Sequence, residues 1–201
     1  MVCRVGDPSQ VLRLRLYVDA DFAGESDSTR STNGGYLVLI GPNTWFPLAW
    51  VAKRQTATSR STTEAEVISM AYSVFQEALP AMDMWDTILG RTIELEIMED
   101  NQATIKAVLK GYSAKMRHVS RTHKVDLGSL NELVSGDGIK LAYVDTLLQA
   151  ADIFTKALAP GKWDNALALL GMYDEEQLRV AFPQAGLFRK GKGPMIQDVA
   201  L

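Results

Sequence analysis

The chain has 201 residues, 47% of them apolar, and a formal charge of −3. That length and apolar fraction suit one sizeable core with an appendage and exclude wholesale disorder. The slightly acidic balance excludes nucleic-acid binding by bulk charge and leaves only a local basic face. Cys3 is the single cysteine, so neither a disulfide framework nor a cysteine metal site is expected. No apolar run is long enough to span a membrane and no signal-peptide pattern opens the chain, so no membrane is involved and a reducing, intracellular setting is expected.

Residues 1–11 read as an irregular lead-in. Leu12, Leu14, Leu16 and Val18 then alternate with Arg13, Arg15, Tyr17 and Asp19. That period of two predicts a β-strand, which ends in an acidic pair, Asp19 and Asp21. Ala23 to Gly35 reads as a polar loop, Tyr36–Ile40 as a second strand, Gly41-Pro42-Asn43 as a turn and Trp45 to Val51 as a third strand. Short connections make these three strands an antiparallel meander. Ser61-Thr62-Thr63-Glu64 fits a capping box. It opens a helix in which Val67, Met70, Ala71, Val74, Phe75 and Ala78 recur at helical spacing. Pro80 either breaks this helix or opens a second one.

Thr92 to Asp100 alternates again, with Ile93, Leu95 and Ile97 on one face. It predicts a fourth strand that also ends in an aspartate. Asn101 to Lys110 reads as a helix stopped by Gly111. His118 to Val134 carries another helical pattern, Ile139 to Val144 a fifth strand, Leu147 to Leu158 a helix, and Trp163 to Leu170 a further helix. The pattern weakens after Tyr173. Strands first in succession and then separated by helices predict a mixed sheet, antiparallel at one edge and parallel where helices cross over. Trp45, Trp50, Trp85 and Trp163 are expected in packing rather than in base stacking.

Parallel neighbours lie about 4.8 Å apart, so the first and fourth strands would bring Asp19 and Asp100 face to face at the carboxyl end of the sheet, where open α/β sheets bind ligands. Two such carboxylates repel unless a cation lies between them, and hard oxygen donors suit Mg²⁺ or Mn²⁺. A third acid comes from the helix opening at Glu64 and Glu66, which point about 200° apart, so only one can aim at the site. A fourth is Asp152. Each has an ordinary alternative role: aspartates stop strands, and acids in a first turn complement the helix dipole.

Val18-Asp-Ala-Asp-Phe-Ala-Gly24, Ser31-Thr-Asn-Gly-Gly-Tyr36, Ser61-Thr-Thr-Glu-Ala-Glu66, Glu99-Asp-Asn-Gln-Ala103, Arg121-Thr-His-Lys-Val-Asp126 and Ala151-Asp-Ile-Phe-Thr-Lys-Ala-Leu158 follow one another in order. Together they resemble the ribonuclease H domain of copia-type (Pseudoviridae) LTR-retrotransposon polyproteins, over roughly Leu12 to Met172. The resemblance implies a ribonuclease H-like fold: a five-stranded mixed sheet, strands 1–3 antiparallel and strands 1, 4 and 5 parallel, flanked by helices. It divides the chain into residues 1–11 as lead-in, 12–172 as the ribonuclease H-like domain and 173–201 as a partly disordered C-terminal extension. It implies a catalytic, metal-binding set of Asp19, Glu66, Asp100 and Asp152, with Glu64 as the alternative to Glu66. Two Mg²⁺ ions, or Mn²⁺ in their place, would be the cofactor. The activity implied is endonucleolytic hydrolysis of the RNA strand of an RNA–DNA hybrid, beside a reverse transcriptase domain of the same polyprotein. The setting would be cytoplasmic, in a virus-like particle, with the nucleus as the alternative. The pattern departs at Arg121-Thr-His123-Lys124, where copia-type domains usually read Arg-Thr-Lys-His. Like other copia-type domains, the chain lacks the mobile-loop histidine of cellular ribonucleases H.

Hybrid recognition by groove shape and 2′-hydroxyls makes Ser31, Asn33, Asn101 and Gln102 candidate contacts. Lys53, Arg54 and Arg60 form one basic cluster and Lys115, Arg117, Arg121 and Lys124 another, with His118 and His123 among them; together they could track phosphates. Two rival readings are a catalytically inactive ribonuclease H-like domain that binds nucleic acid or supports a reverse transcriptase, and a different nuclease or phosphotransferase on the same fold.

Overall fold

A computed structural model of the chain describes residues 3–22 and 29–173. The predicted C-terminal extension beyond 173 and part of the predicted polar loop, 23–28, lie outside the described residues. The strands are β1 (Arg13–Asp21), β2 (Thr32–Gly41), β3 (Thr44–Arg54), β4 (Leu95–Glu99) and β5 (Ile139–Tyr143). They form one sheet in the order β3-β2-β1-β4-β5, with β1–β2 and β2–β3 antiparallel and β1–β4 and β4–β5 parallel. This is the mixed sheet expected from the element order, with the pairing that the resemblance implies: strands 1–3 antiparallel and strands 1, 4 and 5 parallel.

β1 is central because both of its faces are apolar at the middle. Leu14, Leu16 and Val18 join Leu37, Leu39, Leu95 and Ile97 in the main core. Tyr17 meets Tyr36, Val38, Val144 and Ala151 on the other side. The arginines that alternate with these leucines are tied to the neighbouring strand: Arg15 donates to Glu96 Oε2 at 2.6 Å and Arg13 pairs with Glu96 Oε1 at 3.0 Å.

Helix α1 (Thr62–Ser73) lays Val67, Met70 and Ala71 on that core. A single π-turn, Val74–Ala78, joins it to α2 (Leu79–Leu89), which carries Pro80 in its first turn, so of the two expectations for Pro80 the opening of a second helix holds. The Leu79 N–H reaches back five residues to the Val74 carbonyl, and the widened turn accommodates a proline that has no N–H to give. α3 (Gln102–Lys110) ends at Gly111, whose φ of 66° is the left-handed conformation glycine adopts without penalty.

Four expectations are corrected. β2 begins at Thr32, inside the stretch read as loop, because pairing with β1 and β3 overrides its polar composition. The single helix read over His118 to Val134 is two, α4 (Val119–Thr122) and α5 (Leu127–Ser135), parted at Lys124 with a φ of 59° and restarted by the Asp126 carboxylate capping Gly128 N–H. The helix read over Leu147 to Leu158 does not form. Two 3₁₀ turns, Thr146–Leu148 and Asp152–Phe154, stand there instead. The Gln149 side chain between them is turned inward, donating to Val18 O at 2.9 Å and accepting from Ala151 N–H at 3.3 Å, and its extended backbone interrupts the ladder. Finally, Trp45 and Trp85 pack on the two cores, but Trp50 and Trp163 are exposed at 64% and 44%. α6 (Trp163–Leu169) completes the described residues, among which no helix is long and apolar enough to cross a membrane.

Candidate metal centre

β1 and β4 run parallel in a register that pairs Tyr17 with Met98. Two residues further on, the same register brings Asp19 to Asp100, just past the last residue of β4. On its other side Asp19 pairs with Gly34 of β2. Ser69 of α1 locks this end of the sheet: its hydroxyl donates to Asp19 O at 2.6 Å and accepts from Gly34 N–H at 3.2 Å. Glu66 lies three residues before Ser69, so on the same helix face. Asp19, Glu66 and Asp100 each offer a carboxylate oxygen within 4.8 Å of the others, and the first two are buried. Glu64, on the opposite side of the helix, is also buried, but its Oε1 lies 3.1 Å from His118 Nε2 and 3.9 Å from His123 Nε2. Only half of the expected capping box therefore forms. Ser61 Oγ accepts from Glu64 N–H at 3.2 Å, while the glutamate side chain goes to the histidines.

The turn bearing Asp152 reaches the site because Gly34 has no side chain. A Cβ there would stand 2.3 Å from Thr155 Cγ2. Through that gap the Thr155 hydroxyl donates to Asp19 Oδ2. Lys156 Nζ donates to Asp19 Oδ1 at 2.9 Å and to Asp152 Oδ1 at 2.8 Å. Asp100 Oδ2 accepts from the Thr146 hydroxyl at 2.8 Å. Neither Thr155 nor Lys156 was singled out by the sequence reading.

A further acid was missed as well. Glu99 is fully buried beside the group; its Oε1 accepts from Asn101 N–H at 3.0 Å and its Oε2 has no partner. Glu66 Oε2 is likewise buried without a partner. Burial pushes the Glu99 carboxyl up to about 8, against the pull of the Asn101 N–H, with Asp100 and Asp19 raising it further. Burial and then the Glu99, Asp19 and Asp100 charges hold Glu66 higher still. Asp152 and Asp21 are also raised, chiefly by burial. Burial alone would lower the Lys156 ammonium, but Asp19 and Asp152 outweigh it and hold it firmly charged. Buried carboxylates that repel one another, with oxygens left bare, are a donor set short of positive charge. Their hard oxygens at this spacing fit a divalent cation such as Mg²⁺ or Mn²⁺.

The expected nucleic-acid contacts divide. Ser31 is fully buried, and Asn33, almost so, accepts from Gln55 Nε2 at 2.7 Å. Asn33 lies in β2 and still lines the groove of Lys53, Arg54 and Lys124, whereas Ser31, just before β2, is turned inward, which corrects its reading as a surface contact. Asn101 caps α3 by accepting from Ala103 and Thr104 N–H, and Gln102 is exposed beside it. Lys53, Arg54 and Lys124, drawn from the two clusters read in the sequence, line one groove with Tyr72, Phe75 and His123. Lys53 Nζ sits 4.8 Å over the Tyr72 ring. Arg117 turns instead to the Tyr112 hydroxyl, and Arg117 and Arg121 do not line this groove. The His123-Lys124 order places histidine inside, against Glu64, and lysine outside on the groove.

Over 162 residues, 80% of its length, the chain is 30% identical to the "Retrovirus-related Pol polyprotein from transposon RE1" of Arabidopsis thaliana. It is 32% identical over 166 residues to that from transposon RE2 of the same plant, and 27% over 162 residues to that from transposon TNT 1-94 of Nicotiana tabacum. The chain spans about a tenth of the length of these curated relatives. No family model matches. Among solved structures, the LC11-RNase H1 isolated from compost by a metagenomic approach is 15% identical, with a TM-score of 0.47, covering 71% of this chain and 92% of that one.

Proposed function

We propose, for a chain whose homologues are Pol polyproteins of copia-type retrotransposons and whose fold is ribonuclease H-like, that it hydrolyses the RNA strand of RNA–DNA hybrids. The observation that carries this reading is the meeting of Asp19, Glu66 and Asp100 with bare, buried carboxylate oxygen beside them. Asp19, Glu66 and Asp100 would hold one divalent ion, and Asp19 with Asp152 a second. The chemistry such ions would supply is activation of a water and stabilisation of the leaving 3′-oxygen.

The chain's own groups do the rest. Ser69 and Gly34 fix the Asp19 backbone, so its carboxylate is aimed before substrate arrives. Thr155 and Thr146 each hold one oxygen of Asp19 and Asp100, leaving the other carboxylate oxygen of each to meet a ligand or, at Asp19, Lys156. The Glu99 carboxylate holds the Asn101 N–H and so sets the backbone on either side of Asp100. Lys53, Arg54 and Lys124 supply positive charge along a groove for the backbone of one strand. No side-chain nucleophile is required, and Cys3 is exposed in the lead-in.

The test is incubation of the protein with end-labelled hybrid in Mg²⁺ and in EDTA, beside Asp100→Asn. Metal-dependent cleavage of the RNA strand, lost in the variant, supports the reading. Tight hybrid binding without cleavage would replace it with an inactive binding domain, and cleavage of duplex DNA with another nuclease.

A further inference from the structure

The acidic centre has two unlike halves. At Glu66 and Asp100 no ammonium or guanidinium hydrogen bond is found among the described residues, and Glu66 Oε2 is bare; Asp19, which both halves share, is held by Thr155 and Lys156. Between Asp19 and Asp152 a cation is already in place: Lys156 Nζ bridges Asp19 Oδ1 and Asp152 Oδ1 at 2.9 and 2.8 Å. The bridge is built in by the backbone. Lys156 N–H and Thr155 N–H both donate to Asp152 O, at 2.9 and 3.2 Å. The turn therefore presents the threonine hydroxyl to one oxygen of Asp19 and the lysine ammonium to the other. The carboxylate of Asp19 is fully buried, whereas the Lys156 side chain is 37% exposed on a four-carbon stem. Of the two partners only the lysine can leave, by swinging its head into water.

Resting on the hybrid-hydrolysis reading above, we propose that Lys156 is a resident cation that keeps the Asp19–Asp152 half of the site closed to a divalent ion until an anionic strand draws it away. A first ion would be held by Glu66 and Asp100, which no cationic side chain bridges, sharing Asp19 with Lys156. The second must displace an ammonium that makes two charge-assisted hydrogen bonds. A phosphate arriving at the site offers that ammonium another anionic partner, so occupancy of the second position becomes coupled to the presence of nucleic acid. Lys156 is in this sense a positioning residue: it acts through the carboxylates it holds.

The test is calorimetric titration of the folded, metal-free full chain with Mn²⁺ alone, in the wild type, Lys156→Met and Lys156→Arg. One ion per chain is expected in the wild type and in Lys156→Arg, which keeps the charge. Two are expected in Lys156→Met, with the second ion at least about tenfold tighter than any second binding in the wild type. A lysine with only a structural role would lower the melting temperature in EDTA when replaced but leave the number of ions unchanged. Equal stoichiometry and affinity in wild type and Lys156→Met would overturn the proposal while leaving the metal centre standing. Absence of Mn²⁺ binding in all three would overturn the metal centre itself. If Lys156→Met does not fold by circular dichroism, Lys156→Gln carries the same comparison.

Discussion

Replacing Glu99 by glutamine should stabilise the metal-free protein, and more strongly as the pH rises. The fully buried Glu99 carboxyl has one oxygen satisfied by Asn101 N–H and the other bare, and is pushed from 4.5 up to about 8. The folded state thus holds this proton more tightly than the unfolded chain does. Its contribution is fully present below the unfolded value of 4.5 and is lost as pH rises through about 8. Within that window each pH unit removes about 1.4 kcal/mol, so about two units, from pH 5 to pH 7, remove roughly 3 kcal/mol. Glutamine keeps the shape and the bond from Asn101 but does not titrate. For a chain of this length 1 kcal/mol moves the melting temperature by about 2–4 °C, so the advantage of Glu99→Gln should grow from near zero at pH 5 to roughly 6–12 °C at pH 7. The assay is thermal unfolding of both proteins in EDTA across that range. Taking the difference cancels groups that titrate alike in both, including His123, which burial holds below its ordinary value. Added Mn²⁺ should shrink the gap by giving the wild-type carboxylates a counter-charge. A difference that stays flat with pH would refute the reasoning.

Gly34→Ala would set a methyl 2.3 Å from Thr155 Cγ2 and 3.2 Å from Ala151 O. It should lower unfolding free energy in urea by about 1–3 kcal/mol and cost hybrid cleavage as the Asp152 turn is pushed out. Glu66→Gln should reduce metal-dependent cleavage by ~100-fold or more, whereas Glu64→Gln, whose partner is His118, should leave the rate within a few-fold of wild type; parallel kinetics decide, and the reverse order would move the site to Glu64. Lys53→Gln and Lys124→Gln should each weaken hybrid binding across sequences and reduce the salt slope of the affinity by about 1, measured by fluorescence anisotropy over a salt series.

The sheet was legible because its signals are local and agree. Leucines at every second position mark β1, and helices intervening before β4 and β5 force parallel crossovers. Glu99 was legible too and was passed over: it shares the parity of Ile93, Leu95 and Ile97, so alternation alone places it on the buried face of β4. What local pattern could not carry was tertiary. Thr32 and Asn33 have loop composition, yet they open β2 because two strands pair with them. Asp152 and Lys156 stand four apart, which reads as a helical pair, but the inward Gln149 side chain turns the segment into 3₁₀ turns that deliver both groups to Asp19. The gap that admits them is a missing side chain on another strand, Gly34, and its consequence appears only when β2 and the Asp152 turn are seen together.

The most direct measurement is anomalous diffraction from crystals of the full chain soaked in Mn²⁺. The expected result is a manganese peak touched by carboxylate oxygens of Asp19, Glu66 and Asp100. A peak held instead by Glu64, His118 and His123, or no peak at the end of β1 at saturating Mn²⁺, would contradict a metal centre built from these acids.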